Sequence, residues 1–420
     1  MTSKVPNEAF VWVWLPGETE PVVAGRLEES HGSLLFNYGR SFLERAEAIS
    51  LFPPELPLRA GHLPLLDGLS IPGCIRDAAP DAWGRRVILN RIYGKDAVKI
   101  DTGETSELTF LLMSGSDRIG ALDFQRSPTE YTPRLARNAS LAELLEAAER
   151  VEKGIPLTPG LNSALLHGSS IGGARPKALI EDGKRKYIAK FSSTTDTRNV
   201  VKAEFVAMRL AQLAGMNVAP VKLVKAAHRD VLLIERFDRR KTATGWTRKL
   251  MISALTLFGL DEMMGRYASY ETFAELIRHD FDQPRETLRE LFSRLVFNIL
   301  CGNTDDHARN HAAFWDGKTL SLTPAYDICP QDCGGNEASQ AMLIVGNDRS
   351  SRLATCLQAA PNFLLKKEEA REIIEGQIET IKQKWEEVCD EAELSPVDRN
   401  LLRSRQFLNP YVFEDYLAGR

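Results

Sequence analysis

A chain of 420 residues is long enough for two or three domains with large cores, and its 43% hydrophobic and 26% charged content is ordinary for a globular protein. A formal net charge of −4 argues against a dedicated nucleic-acid binder acting alone. No apolar run reaches the roughly 18–20 residues that span a bilayer, and the stretch from Met1 to Glu8 has no signal-peptide core, so a cytoplasmic protein without a membrane partner is expected.

Residues 1–155 read as an N-terminal α+β domain. Residues 10–15, 22–27 and 34–38 have the pattern of short strands separated by Pro-Gly and His-Gly turns. Residues 77–93 and 141–153 read as helices, and Pro156-Leu157-Thr158-Pro159-Gly160 reads as a boundary. Residues 156–239 are then expected to form a β-rich lobe, and residues 240–420 an all-α lobe. Within the latter, residues 363–391 carry Lys and Glu around Ile373, Ile374 and Ile378, the pattern of a solvated helix with one face on the lobe.

Past the boundary, the run from Gly168 through Ser169, Ser170, Ile171, Gly172, Gly173, Ala174, Arg175 and Pro176 to Lys177 is a small-residue loop before an apolar strand. Such a loop lets backbone N–H groups approach phosphates. It matches neither a Walker A motif nor G-x-G-x-x-G, and alone it also fits a plain surface loop. An Asp182-Gly183 turn predicts a hairpin into residues 187–191, with Lys190 near the end of the second strand, placed to meet phosphates. Residues 200–216 predict a helix ending near Gly215, in which Glu204 is the sole carboxylate and the natural partner for Lys190. Residues 231–238 read as a buried strand running into a polar connector, where Glu235, Arg236 and Phe237 would offer backbone groups to a purine.

The stretch Asn303-Thr304-Asp305-Asp306-His307-Ala308-Arg309-Asn310, with Tyr326-Asp327 downstream, has the polar layout of a phosphoryl-transfer site. One Asp accepts the proton of the attacking hydroxyl. An Asn five positions on and a later Asp hold a metal on the phosphates. Alone, this spacing also fits turn residues that cap a helix. What weighs for the chemistry is the order of the parts: glycine-rich loop, strand, Lys, helix with Glu, connector, Asp-x4-Asn, Asp.

With those segments in view, the chain resembles the HipA family of serine/threonine kinase toxins from bacterial toxin–antitoxin systems. The carrying segments are residues 169–177, Ile234-Glu235-Arg236-Phe237-Asp238-Arg239, residues 303–310, Pro324-Ala325-Tyr326-Asp327, Ile71-Pro72-Gly73 and Pro80-Asp81-Ala82-Trp83-Gly84. The resemblance implies an α+β, protein-kinase-like fold of two lobes plus an N-terminal α+β domain, with ATP and Mg2+ as cofactors. It implies Asp305 as proton acceptor, and Asn310 and Asp327 as metal ligands. ATP would be held by Gly172, Gly173, Ala174, Arg175, Pro176, Lys177, Lys190, Glu235, Arg236, Phe237, His307, Asn310, Tyr326 and Asp327. Ser170 would be the autophosphorylated serine, with Ser169 a second candidate. A phosphate on that loop would repel ATP and could pair with Arg175 or Lys177.

The same resemblance implies a HipB-like helix-turn-helix antitoxin as partner, operator DNA through that complex, and a protein substrate such as an aminoacyl-tRNA synthetase. Residues 250–257 are apolar where some members are polar, which fits a different protein substrate. Two other readings stay open: a small-molecule phosphotransferase, and a catalytically silent co-repressor partner of a DNA-binding antitoxin. Cys329 and Cys333, with His307 and His311 nearby in sequence, have a metal-like spacing but lack a complete ligand set, so thiols are expected there rather than zinc.

Overall fold

Alternating burial along β1 (Glu8–Val13), β2 (Val22–Ser30) and β3 (Ser33–Tyr38) sets the first sheet, as the period-2 pattern predicts. His31 and Gly32, both with left-handed backbone (φ 50° and 79°), form the two-residue turn between β2 and β3. With β4 (Leu122–Gln125) the sheet runs β3-β2-β1-β4 and is antiparallel throughout. The computed structural model describes residues 6–135, 139–165, 169–193, 196, 198–332, 335 and 337–416. The chain divides into two units: Met1–Asp196 with Val224–Ile252 and Trp315–Lys318, and Thr197–Leu223 with Ser253–Phe314 and Thr319–Arg420.

In the first unit the helices are α1 (Arg40–Leu43), α2 (Gly73–Arg76), α3 (Ala82–Tyr93), α4 (Glu107–Met113), α5 (Leu141–Glu152) and α6 (Pro159–Leu165). The predicted helix over residues 77–93 starts only at Ala82, because Pro80 cannot continue a helix from Arg76. A capping box between Ser140 and Glu143 begins α5 where the sequence placed it. The second sheet has the order β5-β6-β8-β7, from β5 (Lys177–Glu181), β6 (Lys186–Phe191), β7 (Val221–Ala226) and β8 (Arg229–Glu235). The Asp182-Gly183 turn joins β5 to β6 as predicted. Two short strands, β9 (Arg239–Lys241) and β10 (Trp246–Arg248), form a hairpin, followed by β11 (Leu250–Ser253).

Packing does not break at residue 155. Trp83 and Val87 of α3, Leu144, Leu145 and Val151 of α5, and Leu161 and Leu165 of α6 share one core with Ala178, Ala189, Phe191, Val231 and Leu233 of the second sheet. One core thus joins helices from before residue 155 to the second sheet.

The second unit is mostly helical: α7 (Val200–Leu213), α8 (Ala254–Leu257), α9 (Tyr270–Asp280), α10 (Pro284–Leu300), α11 (Leu353–Ala359), α12 (Lys367–Glu391) and α13 (Pro396–Arg405). The expected all-α lobe is corrected too, since β12 (Ala312–Trp315) and β13 (Leu320–Leu322) follow the polar stretch 303–310, and residues 240–252 belong to the first unit. Pro284 starts α10, and its Leu288, Leu291, Phe292, Leu295 and Phe297 are fully buried, which makes it the central helix of this unit. Contacts of α9, α11 and α12 with α10 surround it. Truncating Leu295 to Ala would cost about 2–5 kcal/mol by transfer and cavity terms. On α12, Ile373, Ile374, Ile381 and Trp385 are buried while the charged positions face solvent, as the pattern predicted.

Candidate active site

In the second unit, α10 ends at Leu300, and Gly302 turns the chain into the polar loop. Asn303 is buried, its amide donating to Asn298 Oδ1 at 3.0 Å, so the loop starts from a fixed point on the central helix. The His307 N–H donates to the Asp305 carbonyl at 2.9 Å, and a short 3-10 turn, Ala308–Asn310, follows. Asn310 Nδ2 donates to the same Asp305 carbonyl at 2.9 Å. This bond fixes the orientation of the Asn310 side chain on the loop. Tyr326 donates its hydroxyl to the Arg309 carbonyl at 2.8 Å, which ties the downstream segment to the loop.

The structure thus brings Asp305, His307, Asn310, Tyr326 and Asp327 together. The Asp305 side chain is exposed at the loop surface. Its carboxyl is held above the ordinary value of 3.8 by partial desolvation and by repulsion from Asp327 and Asp306, while His307 pulls the other way. Asp327 has left-handed backbone, φ 59°, a conformation that Asp tolerates better than most residues and one often found at functional sites. His307 Nδ1 is buried and makes no hydrogen bond among the described residues.

One layer beneath lies a trio the sequence reading missed. Tyr270, at the start of α9, donates its hydroxyl to Asp306, and His311 Nε2 pairs with Asp306 Oδ1 at 3.0 Å. All three are buried. Burial pushes the Asp306 carboxyl up, but His311 and the hydrogen bonds outweigh it and hold it below the ordinary value. The missed signal was the second Asp of the Asp305-Asp306 pair, with His311 five positions on. Cys329 is buried; Cys333 lies outside the described residues.

In the first unit the glycine-rich loop from Ser169 to Pro176 is not a free surface loop; Gly168 lies outside the described residues. Ser169 and Ser170 are buried, the Gly115 N–H donating to Ser169 Oγ at 3.2 Å and Ser170 Oγ to the Asp117 carbonyl at 3.3 Å. Gly173 has φ 98°, which favours glycine. Lys177 donates its ammonium to the Gly172 carbonyl, and Arg175 pairs with Asp196. Ala174 is exposed, and the Pro176 carbonyl accepts from Phe191 N–H at 3.0 Å. Lys177 and Lys190 are direct partners in the β5–β6 register, so both project from one face of the hairpin, and both are buried.

The connector after β8 departs from the expectation in one respect. The Arg236 N–H donates to the Lys186 carbonyl at 2.8 Å, and its guanidinium pairs with Asp117 at 3.0 Å and Asp238 at 2.7 Å. The Arg236 N–H and guanidinium are thus engaged within the frame around the connector. Arg239 and Lys186 also pair with Asp117. Burial pushes Asp117 up, but Arg236, Arg239 and Lys186 hold it well below the ordinary carboxylate range. Glu235 pairs with Arg185 at 3.0 Å, and Phe237 is half-buried. Lys190 lies in the first unit and Glu204, buried on α7, in the second.

Among the described residues, no group of three or more His, Cys, Asp or Glu side chains is placed to hold a metal ion by itself, and no helix is long and apolar enough to cross a membrane.

Comparison with known proteins accords with this arrangement. Residues 13–125 match the HipA N-terminal domain and residues 169–385 the HipA-like C-terminal domain. Y4mE of Sinorhizobium fredii is 25% identical over 360 residues, covering 78% of this chain and 77% of that protein. The serine/threonine-protein kinase toxin HipA of Shewanella oneidensis is 27% identical over 189 residues, covering 39% of this chain and 43% of that protein. A solved structure of the Shewanella oneidensis toxin–antitoxin system, HipA with HipB and operator DNA, matches with TM-score 0.69 at 19% identity, over 94% of this chain and 93% of that one. The fold is accordingly α+β and kinase-like. Because the C-terminal domain match alone spans more than half of the sequence and contains the loop, the lysines and the Asp305 stretch, the chain belongs to the HipA family.

Proposed function

We propose that this chain is a Mg-ATP-dependent serine/threonine protein kinase that acts as the toxin of a toxin–antitoxin pair. The observation that carries the reading is the convergence of Asp305, Asn310 and Asp327 on one loop pair, with Asn310 anchored on the Asp305 backbone and the carboxyl of Asp305 raised by partial burial and by Asp327. Its raised carboxyl suits a base that must take a proton from a hydroxyl.

The oxygen donors present fit magnesium. The Asp327 carboxylate and the Asn310 side-chain oxygen are hard ligands, and repulsion between Asp305 and Asp327 is the kind of charge a divalent cation relieves. When bound, the ion would neutralise charge on the phosphates. Lys190, Lys177 and the loop from Gly172 to Lys177 would hold the phosphates, and Glu204 would orient Lys190. Glu235 and Phe237 would border the purine. Asp305 would orient the acceptor hydroxyl and take its proton, and His307 would support the loop or the phosphates. Positioning and electrostatics would supply most of the rate gain.

Ser170, with Ser169 second, would be the autophosphorylation site, and a translation-related protein the substrate. A HipB-like antitoxin would be the partner, with operator DNA reached through it; the Shewanella oneidensis complex of HipA, HipB and DNA supports this part.

The test is mass spectrometry of the wild type and Asp305→Asn, each incubated with Mg-ATP. Phosphate on the loop serine in the wild type alone supports the reading. ATP binding with phosphate transferred to small hydroxylated compounds, and to no protein, would favour the small-molecule phosphotransferase. Neither binding nor transfer by well-folded protein would favour the silent co-repressor.

A further inference from the structure

The Asp81 side chain does not cap the helix it precedes. Its backbone is extended at the N-cap of α3 (φ −82°, ψ −172°), yet it makes no side-chain capping bond. Ser106, Ser140, Ser253, Ser269 and Ser395 all cap their own helices in this chain. A capping carboxylate is worth about 1 kcal/mol to a helix. Here Asp81 Oδ2 instead accepts from the Gly173 N–H at 2.6 Å, inside the glycine-rich loop 92 positions away.

The contact is one of several between the first turn of α3 and that loop. The Trp83 N–H donates to the Gly173 carbonyl at 3.2 Å, and the Trp83 indole to the Lys177 carbonyl at 3.0 Å. Arg86 donates to the Ala174 carbonyl at 2.8 Å. A Cβ on Gly172 would lie 2.8 Å from Asp81 Oδ2, and one on Gly84 would collide with the Ser169 carbonyl. The loop is therefore clasped on both its N–H and its carbonyl side by one helix end.

We propose that Asp81 is a positioning residue for phosphoryl transfer. By holding the Gly173 N–H, it sets the left-handed turn at Gly173 and so the direction in which the remaining loop N–H groups face the nucleotide phosphates. The N-terminal helix α3 is then part of the nucleotide-binding machinery rather than a neighbouring module. This rests on the kinase reading above.

The test compares Asp81→Ala and Asp81→Asn in the full chain. Asn keeps an acceptor oxygen, whereas Ala has none. A hydrogen bond to a charged group at this strength predicts that Asp81→Ala raises KM for ATP by at least about tenfold. It should leave kcat at saturating ATP within about threefold, and Asp81→Asn should recover most of the loss. A KM for ATP that falls would overturn the proposal, because Asp81 would then compete with phosphate for the Gly173 N–H. Equal loss of kcat in both variants, tracking a lowered Tm, would overturn it in favour of a purely structural role.

Hydrogen exchange of residues 169–177 without nucleotide reads the clasp independently of activity. Faster exchange at Gly173 in Asp81→Ala than in wild type supports the clasp. Unchanged exchange overturns it, even if the kinase reading stands. A wild type that neither binds ATP nor transfers phosphate defeats the kinase reading and with it the positioning role of Asp81.

Discussion

Lys177 and Lys190 face one another across the β5–β6 register, two buried ammonium groups on one face of a hairpin. Like charges directly opposite in a sheet are ordinarily destabilising. Under the proposed kinase reading, this pair would meet the nucleotide phosphates. Lys190→Met, which keeps most of the stem volume, should weaken ATP binding about 10–100-fold while the fold persists. Calorimetry with ATP and circular dichroism check this. Unchanged ATP affinity in the variant would remove Lys190 from the site.

Asp117 gathers Arg236, Arg239 and Lys186, and Asp238 gathers Arg236 and Arg239. Both carboxyls are held below the ordinary value of 3.8 in the fold, the arginines outweighing burial. A carboxyl with a depressed folded-state pKa stabilises the fold above its unfolded value and stops doing so as pH falls through the folded one. The first unit should therefore keep this stability above about pH 4 and lose it progressively in stronger acid. Asp117→Asn should cost about 3–5 kcal/mol at neutral pH, since it leaves buried guanidinium charge uncompensated. Denaturant titrations at pH 7 and pH 3 measure both effects. A variant as stable as wild type at pH 7 would show that the network contributes nothing net.

Tyr270 and His311 both bind Asp306, directly beneath the Asp305 loop. Tyr270→Phe should cost about 1–3 kcal/mol by removing one donor to a buried carboxylate. Asp306→Ala should cost more, about 2–6 kcal/mol, because it leaves two buried groups, the Tyr270 hydroxyl and the His311 ring, without their shared partner. If Asp306 also fixes the loop, Asp306→Asn should lower kcat more than KM for ATP. Chemical denaturation ranks the two stability effects. The reverse ranking would mean that Tyr270 has a second role.

Ser170 is buried, with its hydroxyl on the Asp117 carbonyl. With Ser170 only 1% exposed, a phosphate there would be desolvated. Phosphorylation of Ser170 should therefore require the loop to leave its seat. Ser170→Glu should mimic this, lowering ATP affinity by more than about tenfold. It should also speed proteolysis within residues 169–177. Wild-type ATP affinity in that variant would argue against a loop switch.

Much of the molecule is legible along the chain because it rests on local rules. The Asp182-Gly183 turn, the Ser140 capping box, the α7 helix before Gly215 and the apolar run of α10 are all set by residues within a few positions of one another. Asp305 and Asn310, five apart, hold together through a backbone carbonyl in the same turn, so their juxtaposition is local as well. Those features, and the family they belong to, were determined by the sequence itself.

The tertiary structure decided what depends on distant partners. Arg236 looked like part of a purine-binding connector, and only the approach of Asp117, more than a hundred residues earlier, commits its side chain elsewhere. Trp83 and Leu144, before residue 155, share a core with Phe191 beyond it, and no local signal carries that packing. Asp81 fell inside the helix expected over residues 77–93, and the fold makes it the residue that precedes α3. Its carboxylate instead serves Gly173, a choice made when the fold brings a second, better-placed N–H within reach.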